Sequence, residues 1–218
     1  MTVSPREQLP TLRGRQTQAA IDAAARAVIA RKGILATTIS DIAAEAGRST
    51  ASFYNYYDSK EAMVREWAVR FRDEARERSR AAGKPGLTNW ERSYQAAAAH
   101  WNTYRSRLAE IISVSQLAMI SDDFAQYWAD ICSVPIELIT QMVKQAQQQG
   151  FCAQDDDPHL MAVAMVSMLN QFCYTQLSGD AAADTGRGGG KKPVDDACIS
   201  TLANFFYRTI YHKEAGPI

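Results

Sequence analysis

The chain has 218 residues, 46% of them hydrophobic and 22% charged, which is ordinary for a globular protein and suits one large domain or one small domain plus a larger one. Cys132, Cys152, Cys173 and Cys198 include no CxxC pair, so reduced thiols are expected in place of a disulfide framework, with Cys152 the one expected at the surface. The formal charge is zero but uneven: residues 1–80 hold 14 Lys+Arg against 10 Asp+Glu and the remainder 10 against 14, so the first part has the balance to meet a polyanion.

The segment MTVSPREQLP does not resemble a signal peptide, and the longest apolar stretch, LMAVAMVSML at 160–169, is far short of the ~20 residues a membrane span needs. A soluble, cytoplasmic protein is expected. Alternating β-branched runs and Asn-Gly or Asp-Gly turns are missing, so the fold class is all-α, with about nine helices.

In chain order, the first helix spans about 15–33, with Ala20, Ile21, Ala24, Ala27 and Val28 near one stripe and Gly33 as its stop. Thr38 and Asp41 have the spacing of a capping box for a short helix ending near Ala46. Gly47 breaks that helix, and Ser49 caps another over about 50–57. A long helix, capped by Asp58 or Ser59, follows from Lys60 to about Ala82. At ~1.5 Å per residue it spans about 33 Å and connects the first part of the chain to the rest. Trp90, Tyr94, Ala97, Trp101 and Tyr104 mark the next helix, and another is expected over 107–119. A further helix carries Phe124, Trp128, Ile131, Leu138 and Met142 to Gly150, with Pro135 inside it freeing one carbonyl. Asp157 and Pro158 start a helix that is apolar on nearly every side to about 177, and the last helix lies within 194–211. Between these two, SGDAAADTGRGGGKKP (178–193) has the composition of a flexible loop.

Two short helices joined by a glycine form a helix-turn-helix pattern. Phe53 and Tyr57, four apart, share a face that packs on Ile42, Ala43 and Ala46. The opposite face carries Thr50, Ala51, Ser52, Asn55 and Tyr56, with Tyr54 at its flank. It is small, hydroxylated and free of acids, as a helix entering a major groove requires. Tyr54, Tyr56 and Lys60 have donors suited to phosphate oxygens.

The segment TTISDIAAEAGRSTASFYNYYDSKEAMV (37–64) resembles the DNA-binding domain of TetR-family transcriptional regulators. Thr37, Thr38, Ile42, Ala43, Ala46, Gly47, Ser49, Phe53, Tyr54, Lys60 and Met63 match the family's pattern in register. Arg48 stands where the family usually has a small apolar residue, and Tyr57 where it usually has phenylalanine. The resemblance implies a three-helix DNA-binding domain at 1–59 and a ligand-binding and dimerisation domain at 60–218, with 60–82 as the connecting helix. It implies a homodimer joined through helices 158–177 and 194–211, binding double-stranded DNA at a near-palindromic operator and released by a ligand. The DNA-binding set expected is Thr38, Arg48, Ser49, Thr50, Ala51, Ser52, Tyr54, Asn55, Tyr56 and Lys60. Arg48 either leans out towards phosphate or lies flat over Tyr57.

Ligand candidates come from the aromatic stripe and the polar residues embedded in it: Tyr94, His100, Trp101, Tyr104, Gln116, Phe124, Tyr127, Trp128, Asn170 and Gln171. Each has an alternative place in the core or at an interface. The composition favours a small apolar or aromatic ligand. Asp155, Asp156, Asp157 and His159 are explained as a helix start, so neither a metal nor a cofactor is expected. Three scattered histidines give little basis for an enzyme. A helical carrier of apolar molecules leaves residues 37–60 unused, and a ligand-free DNA-organising protein leaves the aromatic stripe as plain core.

Overall fold

The computed structural model describes residues 11–82, 86–183 and 195–213, excepting the side chains of 72, 74–82 and 179–183. These residues form eight helices and no strand: α1 (Leu12–Lys32), α2 (Ile39–Glu45), α3 (Thr50–Tyr54), α4 (Lys60–Ala82), α5 (Asn89–Ala118), α6 (Asp122–Gln148), α7 (Pro158–Ala183) and α8 (Asp195–Ile210). The count is one below the sequence expectation because the two helices expected over 90–104 and 107–119 run on as α5 across a kink, where Arg107 leaves helical geometry at φ −134° and ψ 26°.

Local side-chain chemistry accounts for most helix starts. Thr11 Oγ1 accepts from Gly14 N at 3.1 Å and starts α1 earlier than its apolar stripe indicates. Thr88 and Glu91 form a capping box at α5, and Asp157 Oδ1 accepts from His159 N and Leu160 N at 2.8 and 3.0 Å at α7. Ser59 Oγ accepts from Ala62 N at 3.0 Å at the start of α4. Pro135 sits inside α6, where Ile131's carbonyl has no intrahelical N–H to accept. α7 runs to Ala183, six residues into the stretch expected to be loop, and residues 184–193 of that loop lie outside the described ones.

α5 is the centre of the later helices, packing against α4, α6 and α8, while α6 packs on α7. Its cap-proximal half buries Ala97, Trp101 and Tyr104, and its far half buries Ile111, Val114 and Leu117. The far half also meets α1. The first helices close over Ile21, Ile29, Ile42, Phe53, Tyr57 and Met63, each at most 2% exposed. α7 and α8 bury one side and leave Leu160, Tyr174 and Phe205 exposed on the other. Cys152, expected at the surface, is buried, because the turn after α6 folds back under it; Cys132 is the cysteine with partial exposure.

Candidate nucleic-acid interface and ligand cavity

The turn between α2 and α3 is built by hydrogen bonds of very short range. Thr38 Oγ1 accepts from Asp41 N at 3.1 Å, while Asp41 Oδ2 accepts from Thr38 N at 2.8 Å, closing the capping box. Lys32 Nζ lies 2.6 Å from the same carboxylate oxygen. This ion pair, followed by the Thr38 hydroxyl and amide, holds the Asp41 carboxyl well below the usual carboxylate range. At the other end of α2, Gly47 N donates to Ala44 O at 3.1 Å and Arg48 N to Ala43 O at 2.9 Å, the pair of bonds that ends a helix in a left-handed residue. Gly47 is that residue, at φ 62°. A Cβ added there would meet nothing within 4 Å, so the backbone conformation, not crowding, demands glycine. Ser49 Oγ then accepts from Ser52 N at 3.2 Å and starts α3. The helix is shorter than expected, ending at Tyr54 with residues 55 and 56 in a turn.

Phe53 and Tyr57 are buried behind α3 with ring centroids 5.6 Å apart. Tyr57's departure from phenylalanine has a physical reason. Its hydroxyl donates to Asp22 Oδ1 of α1 at 2.7 Å and accepts from Gln18 Nε2 at 3.1 Å. Burial and then the Asp22 carboxylate push its phenol pKa well above the ordinary range. Tyr57 therefore ties α1 to the far end of the motif while its ring fills the core.

The expected DNA-facing residues occupy the opposite side. Arg48, Ser49, Thr50, Ala51, Tyr54 and Asn55 are exposed, as is Thr38 at the start of α2, while Ser52 and Tyr56 are half-buried. Arg48 leans outward, its guanidinium 3.5 Å from the Gly47 carbonyl; Tyr57, the alternative surface for it, is only 2% exposed. Lys60 differs from the rest. Its Nζ donates to Ile34 O at 2.8 Å and to Thr37 O at 2.9 Å, so the ammonium fastens the first turn of α4 to the loop after α1.

That loop is also held from α5. Gln116 Oε1 accepts from Ile34 N at 3.1 Å, and a Cβ on Gly33 would come within 2.8 Å of the same amide. Six residues earlier, Glu110 is 2% exposed, and its Oε1 lies 2.7 Å from Arg26 Nε of α1 and 3.3 Å from Arg107. The Arg26 guanidinium also lies 4.9 Å from the centroid of the Trp67 ring on α4. A buried carboxylate held by two guanidiniums thus joins α1 to α5, and the stacked arginine brings in α4. Sequence reasoning did not single out Glu110. An acid within the apolar run Ala109–Ile112 is the available signal, since a buried charge needs a partner.

An apolar cavity of about 60 Å³ lies among α4, α5, α6, α7 and α8. α4 contributes Phe71 and α8 Phe206. α5 gives Ala96, Ala99, His100, Thr103, Tyr104 and Ile111. α6 gives Trp128, Ile131, Cys132, Val134, Pro135, Leu138 and Ile139, and α7 gives Leu169 and Asn170. The structure brings His100, Tyr104, Trp128 and Asn170 together and places the other ligand candidates elsewhere. Trp101 turns towards α8, its Nε1 donating to Asp195 Oδ1 at 3.1 Å. Gln116 serves the α1 loop. Phe124 is buried with Arg65 6.0 Å from its ring centroid, and Tyr127 packs edge-on against Phe124. Tyr94 packs half-buried against the core, and Gln171 faces outward and donates to Thr175 on its own helix. Periodicity marks an inward face; it does not mark which inward residues leave a gap.

Inside the cavity the polar groups are few. His100 stacks on Tyr104 with centroids 5.1 Å apart, and its Nε2 has no hydrogen-bond partner among the described residues. Burial brings its pKa down to about 4, with Asn170 pulling weakly the other way, so the ring is neutral near pH 7. Asn170 Nδ2 lies 3.7 Å from Cys132 Sγ, and burial pushes that thiol up to about 11, which leaves it unreactive.

The described residues are helical with a capped helix-turn-helix near the start of the chain, and comparison with known proteins points to DNA-binding transcriptional regulators. The pattern of the bacterial regulatory proteins of the tetR family matches residues 21–67. The HTH-type transcriptional repressor KstR2 of Rhodococcus jostii (strain RHA1) is 27% identical over 150 residues, covering 63% of this chain and 72% of its own. A tetR-family regulatory protein from Rhodococcus RHA1 has the same fold, with a TM-score of 0.67 at 19% identity over 89% of this chain and 97% of that one. A regulator from Saccharomonospora viridis in complex with choline gives 0.66 at 21% identity over 90% and 97%. FadR of Bacillus subtilis in complex with stearoyl-CoA gives 0.58 at 19% over 88% and 99%. Residues 21–67 thus match the tetR-family pattern, and the relatives named here are described as transcriptional regulators.

Proposed function

We propose that this chain is a repressor that binds a near-palindromic operator as a homodimer in the cytoplasm and leaves it when a small, largely apolar molecule enters the cavity among α4–α8. The division of labour follows the helices: residues 1–59 bind DNA and residues 60–218 bind ligand and dimerise. Thr50, Ala51, Ser52 and Asn55 meet base edges in the major groove, while Arg48, Tyr54 and Tyr56 meet phosphates. Lys60 keeps the loop after α1 in place beneath them. Leu160, Tyr174 and Phe205 belong to the faces of α7 and α8 that pair with the second copy. The relative named as a repressor supports repression over activation.

The observation that carries this reading is the adjacency of Ile111 and Glu110. The first lines the cavity and the second is ion-paired to α1. Whatever widens the cavity at Ile111 acts one residue from the bond that orients the reading helices. Release then requires only that the ligand bind the DNA-incompetent arrangement more tightly than the competent one.

Fluorescence anisotropy with labelled DNA from upstream of the protein's own gene, against scrambled duplex at two salt concentrations, tests the first half. Tight, salt-dependent binding to the upstream duplex alone is expected. Equal weak binding to both would favour a DNA-organising role. The same assay then screens small apolar molecules for reversal, and a set that leaves the complex intact at saturating occupancy of the cavity would overturn the second half.

A further inference from the structure

The cavity makes an unusual demand on its occupant. None of its lining residues among those described carries a formal charge, and its walls are aromatic and aliphatic except for His100, Thr103, Asn170 and Cys132. The polar residues sit on facing helices, His100 on α5 and Asn170 on α7. An ion entering here leaves water without a counter-charge, which costs more than apolar contact returns. His100 supplies the opposite preference, because a buried ring nitrogen with no partner among the described residues is satisfied by a ligand that brings one. A hydroxyl, carbonyl or amide does so without bringing a charge.

We infer that the effector is a neutral, largely apolar molecule with a single hydrogen-bonding group that meets His100 Nε2 beside Asn170, and that carboxylates, phosphate esters and organic cations are rejected. This rests on the cavity being the effector site. The neutral state of His100 agrees with it, since a protonated imidazole would have favoured an anion.

A matched series of two-ring probes tests the inference by isothermal titration calorimetry on the full chain at pH 7: naphthalene, 2-naphthol, 2-naphthoate and 2-naphthylmethylammonium. The expected result is that 2-naphthol binds about tenfold more tightly than naphthalene, the worth of one well-placed hydrogen bond. Both ions bind more weakly than naphthalene itself. His100→Phe, certified as folded by a cooperative circular-dichroism melt, erases the advantage of 2-naphthol over naphthalene. Binding of 2-naphthoate or of the ammonium as tight as 2-naphthol overturns the inference while leaving the cavity as a ligand site. An advantage of 2-naphthol that survives in His100→Phe overturns the role of His100. Failure of naphthalene and 2-naphthol alike to bind the folded chain overturns the effector-site reading beneath it.

Discussion

Between Thr38 and Ser52 the bonds that shape the chain close over three to five residues: Thr38 to Asp41, Gly47 to Ala44, Arg48 to Ala43, Ser49 to Ser52. The cavity draws on five helices and on residues from Phe71 to Phe206. The first region is set by local chemistry and carries one shape; the second is the space left over when long helices meet, and its shape depends on all of them. A family can therefore keep one turn motif while its cavities diverge, since a substitution in any of five helices reshapes the gap. The connection between the two regions is neither local nor apolar. It is a buried carboxylate and an amide reaching from α5 to α1 and the loop after it.

The comparison can be broken most severely at Phe53. It is 1% exposed between the two halves of the motif, so Phe53→Ala should cost about 3–5 kcal/mol in chemical denaturation. Next comes the cavity, through pH. His100 titrates near 4 in the folded chain and near its ordinary 6.5 when unfolded, so the unfolded chain binds the extra proton first. Stability from this group is complete above about pH 6.5 and falls as pH drops towards 4, by roughly 3 kcal/mol in all. The difference between the parent and His100→Phe across that window isolates it, and parallel curves would remove the group from the account. Glu110→Gln sharpens the link between regions: two guanidiniums lose their partner, and because Arg26 keeps partial contact with water the loss should be about 2 kcal/mol. Faster amide exchange in α1, with α6 unchanged, is the accompanying signature. Tyr57→Phe restores the family's usual residue yet should cost about 1–2 kcal/mol, because Asp22 loses a buried donor. The smallest effect is at the surface. Tyr54→Phe should weaken binding to every duplex by about 1 kcal/mol, whereas Asn55→Ala should change which duplex is preferred. Equal losses on all duplexes for both variants would remove Asn55 from base reading.

Legibility in the sequence followed the same division. The capping box at Thr38, the turn at Gly47, the cap at Ser49 and the cap at Asp157 could all be located because each is a short-range bond between side chain and backbone. The helices themselves were legible from periodicity, including the break near Arg107, with their errors at the ends. What stayed hidden depends on distant partners. Asp22 explains Tyr57 from 35 positions away, and Arg26 explains Glu110 from 84. Gln116 drew attention as a polar residue among apolar ones, which was the right signal for a buried bond and gave no direction for it. In the cavity, residues such as Leu138, Leu169 and Phe206 follow the same spacing as close-packed ones, so no pattern separates lining from core.

The break at Arg107 has a mechanical meaning. A continuous hydrogen-bond ladder makes a helix stiff along its length, and the stiffness drops where a residue leaves helical geometry. α5 is therefore two rigid arms on one fulcrum. One arm, from Ala96 to Tyr104, forms a wall of the cavity; the other, from Glu110 to Gln116, adds Ile111 to that wall and grips α1 and the loop behind it. Such a joint converts a push into a tilt, and the ion pair at Glu110, set beside the fulcrum, is positioned to feel angle before distance.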